Sequence, residues 1–342
     1  MLKNKNIISM TIFISIASYQ DPLLLETICS AYVNAKHRGN LRFGVCEQAD
    51  NGTDIASLDF FDQIEYELLN PVLAKGPCWA RERIQHFYNN EDYYLQIDSH
   101  TIFAKDWDEI LLKYYDWIKG SGIEQLVLTG YPRNFKPNES LDSFDLDTKF
   151  RDTLGITFRE GRLFEDSHFS MQKSFPANTD LPAKGLLIAA GFIFTSREFV
   201  QEIPYDPKFY FHGEELSVAL RLFTNNWSVV HIPRIPLFHM YTDVKNLPRK
   251  LHWDPDDDKN RAIKWNQLDK ESKRRLTKLI YDEIDGLFGL GKQKTVDDFS
   301  EQCGLDLKNK KVIDLNVATK DFPFEVIERE DVPFKDIFAD NQ

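Results

Sequence analysis

Apolar and polar positions along the first half of the chain predict strands and helices in alternation. The strand patterns are short and largely apolar, and they cover residues 11–17, 41–47, 63–69, 93–98 and 125–129. Helical patterns lie between them, over residues 21 to about 36, 77–88 and 106 to about 118. This order predicts an α/β fold with a mainly parallel sheet that has helices on both faces.

The middle of the chain has a different pattern. Residues 131–185 are rich in Pro, Asn, Ser and Asp, and they predict a long loop region with short strands at 153–158 and 162–164. Loops of this length in compact domains usually serve as lids or binding loops. Regular patterns then return as a buried strand at 186–195 with a central Gly191, a helix at 214–224 and a strand at 228–232.

Beyond about residue 255 the sequence becomes helical and charged. Leu276, Ile280, Ile284 and Leu287 recur at helical spacing, which predicts a helix with one apolar face packed on the rest of the protein. We therefore expect a main domain over residues 1–254. A partly helical C-terminal appendage with an acidic tail is expected over 255–342.

The N-terminal apolar run resembles a signal peptide, because Lys3 and Lys5 precede it. Three polar residues interrupt it and no small-x-small cleavage site follows, so the run is better explained as a buried strand. No stretch reaches ~18 uninterrupted apolar residues, so we expect no membrane span.

Composition narrows the class of protein. With 342 residues, 42% hydrophobic and 28% charged, the chain is long enough for one sizeable globular core and an appendage. The formal charge of −12 argues against bulk nucleic-acid binding, which depends on clustered Lys and Arg. The four cysteines are far apart and form no CxxC, which favours reduced thiols and a cytoplasmic location.

The clearest candidate for chemistry is the motif Asp98-Ser99-His100, directly after an apolar strand. A carboxylate and an imidazole at positions i and i+2 of a strand end can face one divalent cation, and they suit Mn²⁺ better than Ca²⁺. His239, within Phe238-His239-Met240-Tyr241, would supply a third ligand. The alternatives are that Asp98 caps the next turn and that His239 is a core histidine.

Three further motifs have both a functional and a structural explanation. Glu214 and Glu215 open a helix, where they either serve a cleft or stabilise the helix dipole. Gly191 either allows close approach of a ligand or simply allows packing. Arg81, in the helix that starts near Pro77, either meets a phosphate group or lies in solvent.

Taken in order along the chain, these motifs form a resemblance to a known family. The motifs are Ser18-Tyr19 after the first strand, Val45-Cys46-Glu47-Gln48, residues 76–81, Leu95-Gln96-Ile97-Asp98-Ser99-His100, Ala190-Gly191-Phe192, residues 211–215 and residues 238–241. Over about residues 11–252 the chain resembles the GlcNAc-transferase family that includes the cytosolic hydroxyproline GlcNAc-transferases. More distantly it is similar to the polypeptide GalNAc-transferases, which also use a D-x-H motif.

This resemblance implies a GT-A fold and a UDP-sugar donor, with GlcNAc as the expected sugar. It implies retaining transfer to an acceptor hydroxyl, on a protein, glycan or other molecule, with a divalent metal such as Mn²⁺ or alternatively Mg²⁺. Residues 1–254 would then be the catalytic domain.

The resemblance also assigns residues. Asp98, His100 and His239 would hold the metal. Ser18, Tyr19, Arg81, Asp98, Ser99 and Gly191 would bind the donor, and Glu214 and Glu215 would be catalytic. The match at residues 212–215 is partial, because an acid replaces the asparagine of the GalNAc-transferase pattern, so the division of roles between the two glutamates stays open.

Two other functions compete with this one. A metal-dependent hydrolase would use the same Asp98, His100 and His239 to activate water and would show no preference for nucleotide sugars. A non-catalytic nucleotide-sugar-binding protein would bind UDP without turnover.

Overall fold

A computed structural model of the chain describes residues 10–138, 143–148, 152–241, 249–329 and 331. Its strands, in chain order, are β1 (Ile12–Tyr19), β2 (Leu41–Gln48), β3 (Ile64–Leu69), β4 (Tyr93–Asp98), β5 (Thr101–Phe103), β6 (Leu126–Thr129), β7 (Arg133–Pro137), β8 (Phe144–Leu146), β9 (Leu154–Phe158), β10 (Gln172–Pro176), β11 (Ala183–Gly185), β12 (Phe192–Ser196), β13 (Ser228–His231), β14 (Leu237–His239), β15 (Leu305–Asp306), β16 (Lys311–Val312) and β17 (Glu325–Val326). Its α-helices are α1 (Leu24–Asn34), α2 (Pro77–Gln85), α3 (Trp107–Lys119), α4 (Glu198–Glu202), α5 (Glu214–Thr224), α6 (Pro255–Asp258), α7 (Trp265–Ile280), α8 (Val296–Cys303) and α9 (Leu315–Thr319).

The largest sheet among the described residues has nine strands in the order β17-β11-β13-β6-β12-β4-β1-β2-β3. The half formed by β3, β2, β1 and β4 is parallel throughout. In the other half, β12 runs antiparallel to both β4 and β6, and β11 runs antiparallel to β13. The α/β class is therefore confirmed, and the sheet is mixed, with its uninterrupted parallel part near the N-terminus.

Helices cover both faces of this sheet because strand side chains alternate between them. On β4, Tyr94 belongs to one hydrophobic core and Leu95 to the other. The first core also holds apolar residues of α2, α5, α7 and α8, and the second holds those of α1 and α3. This arrangement confirms the predicted helices on both faces.

A smaller sheet in the order β5-β14-β7-β8 lies where β4 ends. The chain passes from Asp98 through Ser99 and His100 directly into β5, and β14 pairs antiparallel with β5. In that register His239 lies opposite Thr101. The two motifs that carry the predicted metal ligands are therefore brought together by backbone pairing.

Some expected elements differ in the structure. Residues 162–164 form no strand, and Leu163 and Phe164 lie in bends instead. The strand expected at 186–195 begins only at Phe192, although residues 186–190 are buried. The backbone N–H groups of Ala189 and Ala190 donate to the side chains of Thr129 and Glu215 instead of to a neighbouring strand. Gly191 thus precedes β12 and does not lie inside it.

The apolar helix predicted from the C-terminal pattern is α7, but it ends before the pattern does. Leu276 and Ile280 are buried in the core, whereas Leu287 is 66% exposed. A turn with a positive φ at Asp282 follows the helix and takes Leu287 off its apolar face.

The described part of residues 255–342 is joined to the rest of the protein by a shared core and a shared sheet. Leu276 of α7 and Phe299 of α8 belong to the same hydrophobic core as α5. β17 pairs with β11 at the edge of the main sheet. The boundary at residue 254 stays a prediction, and most of the expected acidic tail lies outside the described residues.

Within the described ranges, none of the helices combines the length and apolar character that crossing a bilayer requires. Cys29, Cys46, Cys78 and Cys303 are all free thiols.

Candidate active site

Three side chains with metal-binding atoms converge at the end of β4. Asp98, His100 and His239 each place one ligand atom within 4.8 Å of the others. The Asp98 Oδ2 atom is 3.1 Å from His239 Nε2, and the two imidazole rings lie 4.5 Å apart. One carboxylate oxygen and two imidazole nitrogens form a donor set that suits Mn²⁺ or a similar borderline divalent cation.

Asp98 is held in its charged form by the groups around it. Its Oδ1 atom accepts a hydrogen bond of 2.8 Å from Arg81, while Oδ2 faces His239. Burial opposes ionisation, but the hydrogen bond from His239 and the charge of Arg81 hold the pKa of Asp98 well below its usual range. A deprotonated carboxylate is the form that a metal requires.

Gly191 lies directly against Asp98. A Cβ atom added at Gly191 would come within 2.7 Å of the Asp98 Oδ2 atom. The sequence left open whether this glycine allows close approach of a ligand or simply allows packing, and in the structure the group that packs against it is the side chain of Asp98. The absence of a side chain at Gly191 therefore leaves room for Asp98.

Arg81 is a buried cation between two carboxylates. It bonds Asp98 through Nη2 and Glu214 through Nη1, and the residue is only 3% exposed. Arg81 comes from the second turn of α2, and Glu214 is the first residue of α5. Of the two explanations for Arg81, exposure to solvent is wrong, and the guanidinium that the resemblance assigned to the donor is bound to two acidic side chains in the structure.

The two glutamates at the start of α5 have different surroundings. Burial raises the pKa of Glu214, although its pairing with Arg81 opposes that rise. Glu215 instead accepts hydrogen bonds of 3.0 Å from the backbone N–H of Ala190 and from the amide of Gln172. Burial raises the pKa of Glu215 to about 7, and the nearby Glu214 carboxylate acts in the same direction. Glu215 is therefore a carboxyl group that can exchange a proton near neutral pH.

These groups share one cleft of about 300 Å³. The predicted site residues that line it are Arg81, Asp98, Gly191, Glu214, Glu215 and His239. Tyr131, Phe169, Phe211 and Tyr241 add aromatic walls. The loop region 131–185 contributes Tyr131, Phe169 and Gln172 to this lining, and its role as a lid or binding loop stays a prediction.

Ser18 and Tyr19 lie at the end of β1 and do not line this cleft. The Tyr19 hydroxyl donates to Asp257 at 2.9 Å and accepts from Arg261, whose guanidinium lies 5.3 Å from the Tyr19 ring. Ser18 Oγ is buried and has no hydrogen-bond partner among the described residues. Asp257 and Arg261 come from beyond residue 254, and no motif in the sequence indicated them.

Asp21 is a further residue that the motif analysis did not place in the site. Its Oδ2 atom lies 2.6 Å from His100 Nδ1 and accepts a hydrogen bond of 2.9 Å from Ser99. In the sequence Asp21 is only the first position of the helix predicted over residues 21 to about 36. The signal that could have indicated it is strand order, because β1 and β4 are parallel neighbours and end at the same edge.

The comparison with protein families decides the class of this chain. Residues 53–309, about three-quarters of the sequence, match the family model "Glycosyltransferase (GlcNAc)". The chain belongs to this glycosyltransferase family. The match spans Arg81, Asp98, His100, Gly191, Glu214, Glu215 and His239. Ser18, Tyr19 and Asp21 lie before its first matched residue.

The crystal structure of GalNAc-T7 shows the fold that this chain shares. GalNAc-T7, in a crystal structure with UDP, GalNAc and Mn²⁺, superposes with a TM-score of 0.54 at 13% identity, over 86% of this chain and 56% of that chain. TarS 1-349 of S. aureus with UDP-GlcNAc gives a TM-score of 0.42 at 11% identity, over 80% and 73% of the two chains. The present chain thus spans little more than half of GalNAc-T7.

No curated protein has a sequence that matches this chain significantly. The GT-A fold expected from the motifs is confirmed.

Proposed function

We propose that this glycosyltransferase moves GlcNAc from UDP-GlcNAc to an acceptor hydroxyl, with retention of configuration and with the help of a divalent metal. The observation that carries the proposal is the convergence of Asp98, His100 and His239 beside the cleft that contains Glu214 and Glu215. Membership of the GlcNAc family supports the choice of sugar. The complex of GalNAc-T7 with UDP and Mn²⁺, a protein of the same fold, supports the choice of nucleotide and metal.

Asp98, His100 and His239 would hold the metal, for which Mn²⁺ is the first candidate and Mg²⁺ the second. When bound, such an ion supplies positive charge that stabilises the departing diphosphate. The charged state of Asp98 fits this role, because both Arg81 and His239 favour its carboxylate form. We assign Ser18, Tyr19 and Ser99, with Arg81 and Gly191, to the donor side of the site.

In the proposed reaction, the bond from the anomeric carbon to the diphosphate oxygen breaks as the acceptor hydroxyl bonds to the same carbon. Positive charge develops on the sugar, and the Glu214 carboxylate, held by Arg81, would orient the sugar and stabilise that charge. The departing diphosphate can take the acceptor proton, so retention requires no strong protein base.

Glu215 would bind the acceptor within the cleft. Its pKa of about 7 would let it exchange a proton with the acceptor hydroxyl near neutral pH. If the transfer inverted configuration instead, Glu215 would be the general base. We further propose that residues 1–254 form the catalytic domain and that the protein acts in the cytoplasm.

A donor screen tests this proposal. Release of UDP should be measured with UDP-GlcNAc, UDP-GalNAc, UDP-glucose and GDP-mannose, each with Mn²⁺ and with EDTA. We expect the fastest release from UDP-GlcNAc and its loss in EDTA. Phosphate-ester hydrolysis without preference for a nucleotide sugar would favour a hydrolase, and UDP binding without turnover would favour a non-catalytic binding protein.

A second measurement identifies the product. Mass spectrometry of a lysate after incubation with UDP-GlcNAc should show acceptors heavier by one N-acetylhexosamine. The anomeric configuration of that product, determined by NMR, decides between retention and inversion.

A further inference from the structure

Asp21 gathers three hydrogen-bond donors at the edge of the metal-binding cluster. Its Oδ2 atom accepts from Ser99 Oγ at 2.9 Å and faces His100 Nδ1 at 2.6 Å. Its Oδ1 atom accepts from the backbone N–H of Leu23 at 2.9 Å. The residue is 8% exposed, so these contacts largely replace its hydration. Asp21 is therefore a fixed, buried carboxylate with both oxygens engaged.

The contact with His100 decides which ring nitrogen is open. Because Nδ1 faces the Asp21 carboxylate, Nε2 is the remaining nitrogen of His100 that can bind a metal. A carboxylate accepts a proton and does not donate one, so Asp21 favours the tautomer with the proton on Nδ1 and the lone pair on Nε2.

The two histidines of the cluster differ in this respect. His239 faces Asp98 through Nε2, and its buried Nδ1 has no hydrogen-bond partner among the described residues. Within the described chain, the carboxylate support is therefore found behind His100 and not behind His239. Ser99 links the same carboxylate to the turn between Asp98 and His100.

We propose that Asp21 is the positioning residue of this site: it holds His100 in the tautomer and orientation that bind the metal, and it anchors the Asp98-Ser99-His100 turn to the loop after β1. This inference rests on the proposed function, since it assigns His100 to the metal. Carboxylates behind metal-bound histidines fix the ring and raise its basicity, and their loss typically weakens metal binding about 10- to 100-fold. Asp21 does not touch the reacting atoms.

The first test reads the tautomer directly and needs no metal. The chain should be labelled with ¹⁵N-histidine and examined by NMR at about pH 8 without metal, with the His100 signal assigned by its loss in His100→Gln. We expect the proton on Nδ1 in the unaltered protein. In Asp21→Asn, the amide that replaces one oxygen can donate to Nδ1, and the proton should move to Nε2.

The second test measures the metal. Mn²⁺ affinity, from the EPR signal of free Mn²⁺, should fall about 10- to 100-fold in Asp21→Asn. Release of UDP from UDP-GlcNAc should recover when Mn²⁺ is raised by the same factor, whereas a purely structural defect would not be rescued. If Asp21→Asn fails to fold, Ser99→Ala, which removes one of the three donors, should weaken Mn²⁺ binding by about threefold.

Asp269→Asn is the matched control. Asp269 is also 8% exposed, and its Oδ1 atom lies 2.7 Å from Nδ1 of His212, which is not a metal ligand in this scheme. Mn²⁺ affinity should be unchanged in this variant, although it loses an equivalent aspartate–histidine contact.

The outcomes separate the inference from the function it rests on. If Asp21→Asn keeps the His100 tautomer and binds Mn²⁺ as tightly as the unaltered protein, Asp21 has no positioning role. If the unaltered protein binds no Mn²⁺ and releases no UDP, the proposed function is wrong. In that second case the NMR comparison still decides whether Asp21 sets the tautomer of His100.

Discussion

Two carboxylates of the same cleft, Asp98 and Glu215, are driven in opposite directions by their neighbours. Asp98 lies between Arg81 and His239, and its pKa is held well below the usual range. Glu215 has no cation in direct contact among the described residues and accepts from an N–H group and an amide, and its pKa rises to about 7. When neighbouring groups push the pKa values of two carboxylates apart, one carboxylate typically stays charged and the other exchanges a proton.

The difference comes from where each side chain enters the cleft. Asp98 extends from a strand end, where a second strand end supplies His239 and α2 supplies Arg81. Glu215 extends from the first turn of α5 toward the buried segment before β12. The Asp98 side of the cleft, where the metal is proposed to bind, therefore carries the permanent charge. The Glu215 side carries the exchangeable proton.

The largest effect is expected from removing the permanent charge. Asp98→Asn keeps the size of the side chain but removes its charge and one proposed metal ligand. UDP release from UDP-GlcNAc at a fixed, moderate Mn²⁺ concentration should fall by about a thousandfold. The control is Asp50→Asn, an exposed aspartate that follows β2, which should keep full activity. Activity of Asp98→Asn within tenfold of the unaltered protein would contradict the assigned role.

The next largest effect is expected on stability, from removing the cation between the acids. Arg81→Met leaves the buried Glu214 and the partly exposed Asp98 near each other without their shared partner, and it should cost about 3 kcal/mol in free energy of unfolding. Urea denaturation followed by circular dichroism measures this. Lys184→Met, which breaks the surface pair with Glu325, is the matched control and should cost less than ~1 kcal/mol. Equal losses of unfolding free energy in the two variants would show that the ion pairs of Arg81 stabilise the fold no more than a surface pair does.

A third effect should appear as a pH dependence, from Glu215. Its pKa is about 7 in the folded protein and near 4.5 when unfolded, so the folded state binds the proton more tightly. The stability from this group is fully present below about pH 4.5 and is lost as pH rises through about 7. Glu215→Gln removes this loss, so its unfolding free energy relative to the unaltered protein should rise by up to about 3 kcal/mol between pH 4.5 and 8.

The measurement is urea denaturation in EDTA at several pH values. Glu325→Gln, an exposed glutamate in the pair with Lys184, provides the matched control and should follow the unaltered protein. Parallel pH curves for Glu215→Gln and the unaltered protein would show that Glu215 titrates as an ordinary exposed glutamate.

The sequence indicated Asp98, His100 and His239 as candidate metal ligands, because each lies at or near the end of an apolar strand. They meet through the antiparallel pairing of β14 with β5 in the smaller sheet, and the arrangement of parallel strand ends did not predict that pairing. The first residue of α5, Glu214, was predicted correctly, because the two glutamates open an amphipathic pattern. These features depend on local periodicity, which the chain itself carries.

Contacts between distant parts of the chain could not be predicted in the same way. Arg81 and Glu214 are 133 residues apart, and no spacing rule connects them. The contacts of Tyr19 with Asp257 and Arg261 join the end of β1 to the segment that follows residue 254. Residues 186–190 were assigned to a strand because they are apolar, but apolar character reports burial and not backbone pairing.

The smallest effect is expected from a change at Gly191. This residue touches Asp98 and follows Ala190, whose backbone N–H binds Glu215. An added Cβ would meet Asp98 Oδ2 at 2.7 Å, so Gly191→Ala should displace that carboxylate while Glu215 keeps its contacts. We expect about a tenfold loss of activity, equivalent to about 1.4 kcal/mol, together with weaker Mn²⁺ binding. Gly39→Ala, where an added Cβ meets nothing within 4 Å, controls for the change of residue type. The pH profile of stability should stay as in the unaltered protein, since it depends on Glu215. Loss of that profile in Gly191→Ala, with Mn²⁺ affinity intact, would mean that the two carboxylates are not independent.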